Sequence, residues 1–570
     1  MTRRLRACGP TGPRYLVLVM LMAACNTQPP PPPPLTLAQM PAIDPASVLA
    51  DIRTLSSDEY GGRAPGSPGE QMTVDYLVKQ FQAAGAEPGN PDGTWVQKVP
   101  LVGIKSTSVS PLSVRVKGRT RTFTPQSEVV AFSQHVADAV AVKDSEVVFA
   151  GYGVQAPEYQ WDDFKGLDVK GKTLIVLVND PPVADPANAS ALDPKTFGGT
   201  AMTYYGRWTY KYEKAAELGA AAVFIVHETA PAGYPFNVVQ GFADERFNLV
   251  TPDKNLGRAG IQGWLSLDAA TALLKAAGQD YQALKARART REFTPVALGV
   301  TATMAISQAM RAVDSRNVVA KVTGADPGLA SESVVYSAHW DHFGTATPVD
   351  GDAIYNGARD NASGTAMLIA LARAFKTVQP APKRTVIFLA VTSEEQGLLG
   401  SEYYAKFPLY PLAKTLANIN VDVVNVWGRT KDLTIIGLGN SELDTYAREA
   451  AAEQGRQLKP DAEPEKGFYY RSDHFNFAKV GVPALNPDSG VEFLDKPAGF
   501  GQQKRDEWLM KDYHQPSDEV KDWWDLSGAV EDGRLFFAVG YRVANARTFP
   551  AWSPGNEFKA VRDRMLAASR

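Results

Sequence analysis

Three short strand-like runs each lead to a side chain able to bind a metal, and this restricts the fold more than any other feature. His339 ends Val334-Val335-Tyr336-Ser337-Ala338, Glu394 and Glu395 follow Thr385–Val391, and Asp422 closes residues 417–421. Runs of this length read as buried strands. Open α/β sheets hold their ligands just beyond the carboxyl ends of the strands. The pattern therefore predicts an α/β fold: a mixed, largely parallel sheet with helices on both faces. Asp360 lies between two of these runs, in Gly357-Ala-Arg-Asp-Asn-Ala-Ser-Gly364. The small residues of that loop let backbone crowd close before a helix expected from about Thr365.

Taken in order, His339, Asp360, Glu395, Asp422 and His514 supply two imidazoles and three carboxylates. That set suits a pair of zinc ions with one carboxylate bridging, and a further acid, Glu394, stands where a general base is needed. Each residue alone has a plainer explanation. A lone histidine is more often a satisfied polar residue, and adjacent acids are common where a helix begins, because the dipole favours them there. The chain has only six histidines, however, and two fall in the ordered set. His342 does not fit the His-x-Asp spacing that His339 makes with Asp341. His135 and His227 read as surface or packing residues. His474, in Arg471-Ser-Asp-His474, reads either as a substrate contact or as the start of a helix capped by Ser472.

The segments Ser337-Ala-His-Trp-Asp-His-Phe-Gly344, Asp360-Asn-Ala-Ser-Gly364, Ser393-Glu-Glu-Gln-Gly-Leu-Leu-Gly-Ser401, Asn420-Val-Asp422 and Tyr513-His514 resemble the co-catalytic dizinc exopeptidases, the family of bacterial leucyl aminopeptidases and glutamate carboxypeptidase II. The resemblance covers roughly residues 315–545 and an N-terminal portion. It implies two Zn²⁺ per chain, with Asp360 bridging, His339 and Asp422 completing one site, and Glu395 and His514 the other. It also implies Glu394 as the base, Asp341 orienting the His339 imidazole, and Tyr513 stabilising the oxyanion. A cis peptide bond between Asp360 and Asn361 belongs to the same expectation. The implied activity is removal of N-terminal residues from peptides. The alternative is a carboxypeptidase of the glutamate carboxypeptidase II type, separated from the first by whether the pocket offers acids to an amine or arginines to a carboxylate. Arg359 and Arg471 lie in motif loops and are the candidates for the latter. A one-zinc glutaminyl cyclase fits the full ligand set less well. A metal-free, receptor-like binding protein would have lost ligands that are all present here.

The first 24 residues combine Arg3, Arg4, Arg6 and Arg14 with an apolar run ending in Met22-Ala-Ala-Cys25, which reads as a signal peptide. Cys25 would be the lipidated N-terminus of an exported protein of the bacterial envelope, with the outer membrane favoured. Cys8 is the only other cysteine and would leave with the signal, so neither disulfide nor thiolate chemistry is expected in the mature chain. Residues 25–45, with prolines at 29–34, read as a stiff tether. Residues 46–100 open the catalytic domain, with a helix from about Glu70 that places Met72, Tyr76, Leu77 and Phe81 on one face. Residues 101–310, where Val or Thr alternates with basic residues and βαβ-like segments follow, resemble an inserted β-rich α/β protease-associated domain. Residues 311–570 form the main zinc peptidase domain. A formal net charge of −3 gives no electrostatic reason to expect nucleic acid. The expected partners are peptides, with a membrane engaged only through the lipid anchor. Oligomeric state is left open by the sequence.

Overall fold

A computed structural model of the chain describes residues 35–240 and 245–569; the expected signal peptide, Cys25 and the proline run lie outside them. The strands around the candidate ligands are β1 (Glu87–Pro88), β2 (Val96–Val109), β3 (Val296–Val322), β4 (Ser333–His339), β5 (Thr385–Val391), β6 (Thr415–Asn420), β7 (Asp432–Ile436), β8 (Gln457–Pro460) and β9 (Ala484–Asp488). They pair in the order β1–β3–β5–β4–β6–β9–β7–β8, with β2 running along β3 on the side of β1. β4 lies parallel to both β5 and β6, and His339 pairs with Val391. The ends of β4, β5 and β6 therefore carry their ligands to one edge of the sheet.

Both faces of these strands are apolar because both are covered. Tyr336 and Phe388 stack at 5.8 Å and meet Phe375 of the helix α3 (Ser363–Thr377). Phe375 packs in turn on Phe537 of the helix α4 (Ser527–Asn545). Val335, Ile387 and Leu389 alternate to the opposite face and share a core with Tyr404 and Phe477. Each such side chain contributes roughly 1.5–3 kcal/mol on burial. Gly540 makes the fit on α4 possible, since an added Cβ would lie 1.9 Å from the Tyr336 hydroxyl, which donates to the Phe536 carbonyl.

Near the N-terminus α1 spans Pro45–Leu55 and α2 spans Pro68–Ala83, with Ser67 accepting from the Glu70 N–H. The buried face of α2 is Thr73, Val74, Leu77 and Phe81, while Met72 is exposed. The expected apolar stripe was thus set about one residue off at its N-terminal end, because Met72 lies where the helix turns towards solvent.

Strand β3 runs unbroken through residue 310 and pairs along most of β2, tying the sheet to residues 101–310. There Thr173–Leu177, Ala222–Val226 and Ile261–Leu265 lie parallel, with the helix Trp208–Glu217 packed against them. Leu112–Val116 and Arg119–Phe123 form a hairpin. No helix among the described residues is long and apolar enough to cross a membrane.

Residues 101–310 contact the larger sheet region through Tyr204, Tyr470 and Glu557. Glu557 accepts from the Tyr470 hydroxyl at 2.7 Å and from the Tyr204 N–H at 3.3 Å. Desolvation first, and then the nearby Asp180 and Glu158 charges, push its carboxyl up to about 8 against the lowering effect of Tyr470. An unfolded glutamate titrates near about 4.3. Between those values the folded chain binds the extra proton, so stability present at low pH is lost as pH rises towards 8. Urea unfolding from pH 5 to 8 is expected to show this decline, with a slope of at most about 1.4 kcal/mol per pH unit from this group. Glu557→Gln should make the slope shallower by its share, leaving the part due to other buried acids such as Asp163 and Asp180, both raised to about 7.

Candidate metal centre and substrate cleft

The loop that carries Asp360 is shaped by its neighbours. Gly357 has φ +54°, and a Cβ there would lie 2.3 Å from the Asp360 carbonyl oxygen; one on Gly364 would lie 2.3 Å from that of Val421. The Asp360–Asn361 peptide is cis, as expected. Asn361 accepts from the Gly364 and Val423 N–H groups and donates to the Val421 carbonyl, which joins the loop to the end of β6.

The Asp360 carboxylate then faces two imidazoles. Oδ1 lies 3.3 Å from His339 Nε2 and Oδ2 lies 3.2 Å from His514 Nε2. His339 Nε2 is also 3.3 Å from Asp422 Oδ1, and His514 Nε2 is 3.3 Å from Glu395 Oε2. Glu394 Oε2 stands 3.9 Å from His339 Nε2. The structure thus brings together all five expected ligands and the expected base. Donor atoms of His339, Asp360 and Glu395 lie within 4.8 Å of one another, as do those of His339, Glu394 and Asp422. Three non-glycine residues here have left-handed backbones: Ser393 before Glu394, Val423 after Asp422, and His514 itself. For a β-branched residue such as Val423 this is strained, a feature concentrated at functional sites.

The charges are badly matched without a cation. Burial pushes Glu394 and Glu395 well above the carboxylate range, and raises Asp341 and Asp518; it lifts Asp473 to about 7. Burial would lower His339, but Glu394, Asp360 and Asp422 together hold it well above its ordinary value. Asp360 is held far below its usual range by the two imidazoles, despite its own burial. Divalent ions would supply the missing positive charge, and oxygen and imidazole donors without thiolate suit zinc.

Asp341 does not take the expected place. Its carboxylate is 3.9 Å from His339 Nδ1, beyond hydrogen-bond reach, whereas its backbone carbonyl lies at 3.2 Å. The carboxylate accepts instead from the Glu394 and Glu395 N–H groups, because the turn after β5 presents those donors directly to it. Tyr513 lines the cleft and its ring stacks on His514 at 3.6 Å. Lost solvation, then Asp360 and Glu395, keep its hydroxyl well above the ordinary phenol value. His474 is neither a substrate contact nor a Ser472-capped start: it is buried against Tyr469, and Ser472 donates to Asp422 Oδ2 at 2.5 Å. His227 packs among Tyr234, Phe236 and Trp264. Half-buried His135 meets the Arg258 carbonyl.

Several contributors have no local sequence signal. His342 Nδ1 lies 2.6 Å from Glu395 Oε1 and fixes that carboxylate. Asp518, four residues after His514, accepts from the Arg359 and Asp360 N–H groups. Arg63 is buried and donates to the carbonyls of Leu55, Trp340, Asn356 and Gly357. Its Gly61-Gly62 loop was visible in the sequence, but its partners were not.

A cleft of 670 Å³ opens over His339, Asp360, Glu394, Asp422 and Tyr513, and Asn179 and Tyr234 from residues 101–310 line it as well. A second cavity of 310 Å³ shares Glu394, Arg471 and Tyr513 with the first.

Residues 317–536 match the model of peptidase family M28. The chain carries a family M28 peptidase domain. A probable zinc metalloprotease of Pyrenophora tritici-repentis (strain Pt-1C-BFP) is 39% identical over 268 residues, 41% of this chain and 52% of that protein. Aminopeptidase YwaD of Bacillus subtilis (strain 168) is 29% identical over 168 residues, 29% of this chain and 33% of its own length. The solved aminopeptidase from Aneurinibacillus sp. strain AM-1 is 20% identical with a TM-score of 0.48, over 89% of this chain and 94% of that one. The chain spans about half, or less, of the length of these curated relatives. The M28 segment contains every expected ligand and Glu394.

Asp518→Asn keeps the shape of the side chain but removes the charge that fixes the Asp360 backbone. Loss of such a supporting carboxylate typically weakens metal binding 10–100-fold. Competition with a zinc chelator should show a loss of that order, with the folded circular-dichroism spectrum retained.

Proposed function

We propose that the chain is a zinc-dependent exopeptidase, and that its M28 domain removes N-terminal residues from peptides. The observation that carries this reading is the Asp360 carboxylate, with one oxygen 3.3 Å from His339 and the other 3.2 Å from His514. Two zinc ions would be held by His339, Asp360 and Asp422, and by Asp360, Glu395 and His514. When bound, they supply Lewis acidity and lower the pKa of water.

The remaining work falls to protein groups. Glu394, bordering both cavities, takes a proton from the attacking water and delivers it to the departing amine. Asp341 holds the Glu394 N–H and so fixes the base through its backbone. Tyr513 donates its hydroxyl to the oxyanion that forms on the scissile carbonyl. His342 keeps Glu395 aimed at the ligand cluster. The zinc metalloprotease and aminopeptidase names of the relatives support the same reading.

A carboxypeptidase is the second reading, and one observation favours it: Arg359 and Arg471 both line the cleft. Residues 101–310 would form a protease-associated insert that walls the substrate cleft, as Asn179 and Tyr234 do. Export with lipidation at Cys25 is supported by the sequence alone.

Metal analysis of purified protein is expected to give two zinc ions per chain, with chelation abolishing hydrolysis and zinc restoring it. One tightly bound ion would favour the cyclase-like reading. Glu394→Gln should keep the metal and lose about 10²–10⁴-fold in kcat, whereas Glu395→Gln should lose metal first. Near-normal turnover by Glu394→Gln would remove it from the mechanism.

A further inference from the structure

Where residues 101–310 meet the larger sheet region, a cavity of 480 Å³ lies beside the metal cleft and shares only Ile436 and Phe468 with it. Cavities of this size hold small organic molecules. Among the described residues its walls carry two carboxylates, Glu557 and Asp461, and no lysine, arginine or histidine. Neither acid forms an ion pair among the described residues. There Glu557 accepts only from the Tyr470 hydroxyl and the Tyr204 N–H, and Asp461 only from the Glu463 N–H. The charges of Asp180 and Glu158 add to the negative potential at Glu557.

Three tyrosine rings border the same space, Tyr159 from residues 101–310 and Tyr469 and Tyr470 from the facing segment. Burial first, and then the Glu557 charge, hold all three hydroxyls above the ordinary phenol value, so the rings are grouped around that carboxylate. Tyr469 is 7% exposed, and its hydroxyl makes no hydrogen bond of good geometry, with the Asn440 side chain beside it. Phe468 is not counted with them, because Arg471 and Arg505 already stand over its ring from the metal cleft.

The sign and chemistry of this lining select the occupant. An anion would face two carboxylates, and a purely apolar molecule would bury Glu557 further with no compensating charge. A hard metal ion takes about six or more oxygen ligands, whereas among the described residues groups of three metal donors occur only at the metal centre. An organic cation meets every requirement at once. Its charge balances Glu557, the faces of the tyrosine rings attract it, and an N–H of an amine finds an acceptor in the Tyr469 hydroxyl. We infer that this cavity is a binding site for an organic ammonium ion, separate from the metal centre and built jointly by residues 101–310 and the larger sheet region. The ammonium has two chemical sources, a quaternary ammonium or a protonated primary amine. Ile436 and Phe468 bring its occupant against the wall of the metal cleft.

Calorimetric titration of the zinc-loaded full chain with choline and with butylammonium tests the site. Each is compared with an uncharged isostere, the tert-butyl analogue of choline and butanol. At least one ammonium is expected to bind about tenfold or more tightly than its isostere, and the one that does so identifies the source. Glu557→Gln removes the charge at constant size, and should lose this preference with its zinc content unchanged. Tyr159→Leu keeps apolar bulk without an aromatic face. It should weaken the ammonium several-fold and leave the isostere alone, which a merely structural change would not do. If Glu557→Gln does not fold, Tyr159→Leu decides the matter. No binding by either ammonium, equal binding of ammonium and isostere, or a preference that survives in the deciding variant overturns the inference. Butylammonium bound at the metal centre instead would survive in Glu557→Gln and vanish on removal of zinc, which also overturns it. Each outcome leaves the peptidase reading as it stands.

Discussion

A carboxylate held between two imidazoles, and crowded by further buried acids, is the constraint around which this chain is organised. His339 and His514 face the two oxygens of Asp360 and hold its carboxyl well below the usual range despite its burial. Glu394 and Glu395 also stand near imidazoles, at 3.9 Å from His339 and 3.3 Å from His514, but burial still pushes their carboxyls up. Desolvation at this depth costs several kcal/mol per ion unless opposite charge is supplied. The fold supplies some of it from the protein and leaves the rest to bound metal. The protein's share is positional: backbone N–H groups of Glu394 and Glu395 point at Asp341, and those of Arg359 and Asp360 point at Asp518.

Such a cluster needs a rigid support. Strands β4, β5 and β6 are covered on both faces, so they cannot shift register without exposing a core that includes Tyr336, Phe388 and Leu389. Arg63 performs the equivalent task for the loops. Its guanidinium is buried at a cost that its carbonyl acceptors and the nearby Asp341 and Asp518 offset. The N-terminal segment is thereby joined to the loops after β4 and before α3. Removing it would loosen the site from behind, without touching a ligand.

The cleft has a different electrostatic character from the ligand cluster beneath it. Acids gather at the strand ends, whereas guanidiniums stacked on Trp427, Trp508 and Phe468 line the approach. A wall contributed by residues 101–310 closes over both. Strand β3, continuous from Val296 to Val322, makes that wall part of the same hydrogen-bonded framework as β4, β5 and β6.

The candidate ligand set was legible in the sequence because each member sits on a local signature. An apolar run followed by a His or an acid is readable within ten residues, and so is a loop of small residues before a helix. The left-handed backbone at Gly357 and the close approach at Gly364 follow from the same local crowding. What supports the ligands was not legible, for Asp518 reaches the Asp360 N–H across 158 residues and Arg63 reaches Gly357 across 294. An aspartate beyond a histidine, or an arginine after two glycines, carries no mark of a partner so far along the chain. The same limit misplaced Asp341, whose spacing from His339 pointed to the imidazole while the turn after β5 offered it closer donors. Local periodicity and residue chemistry thus singled out the side chains that the structure gathers beyond the strand ends. Only the packing of distant segments decided what holds them, and which side chains line the cleft above them, because those contacts depend on geometry that no local pattern encodes.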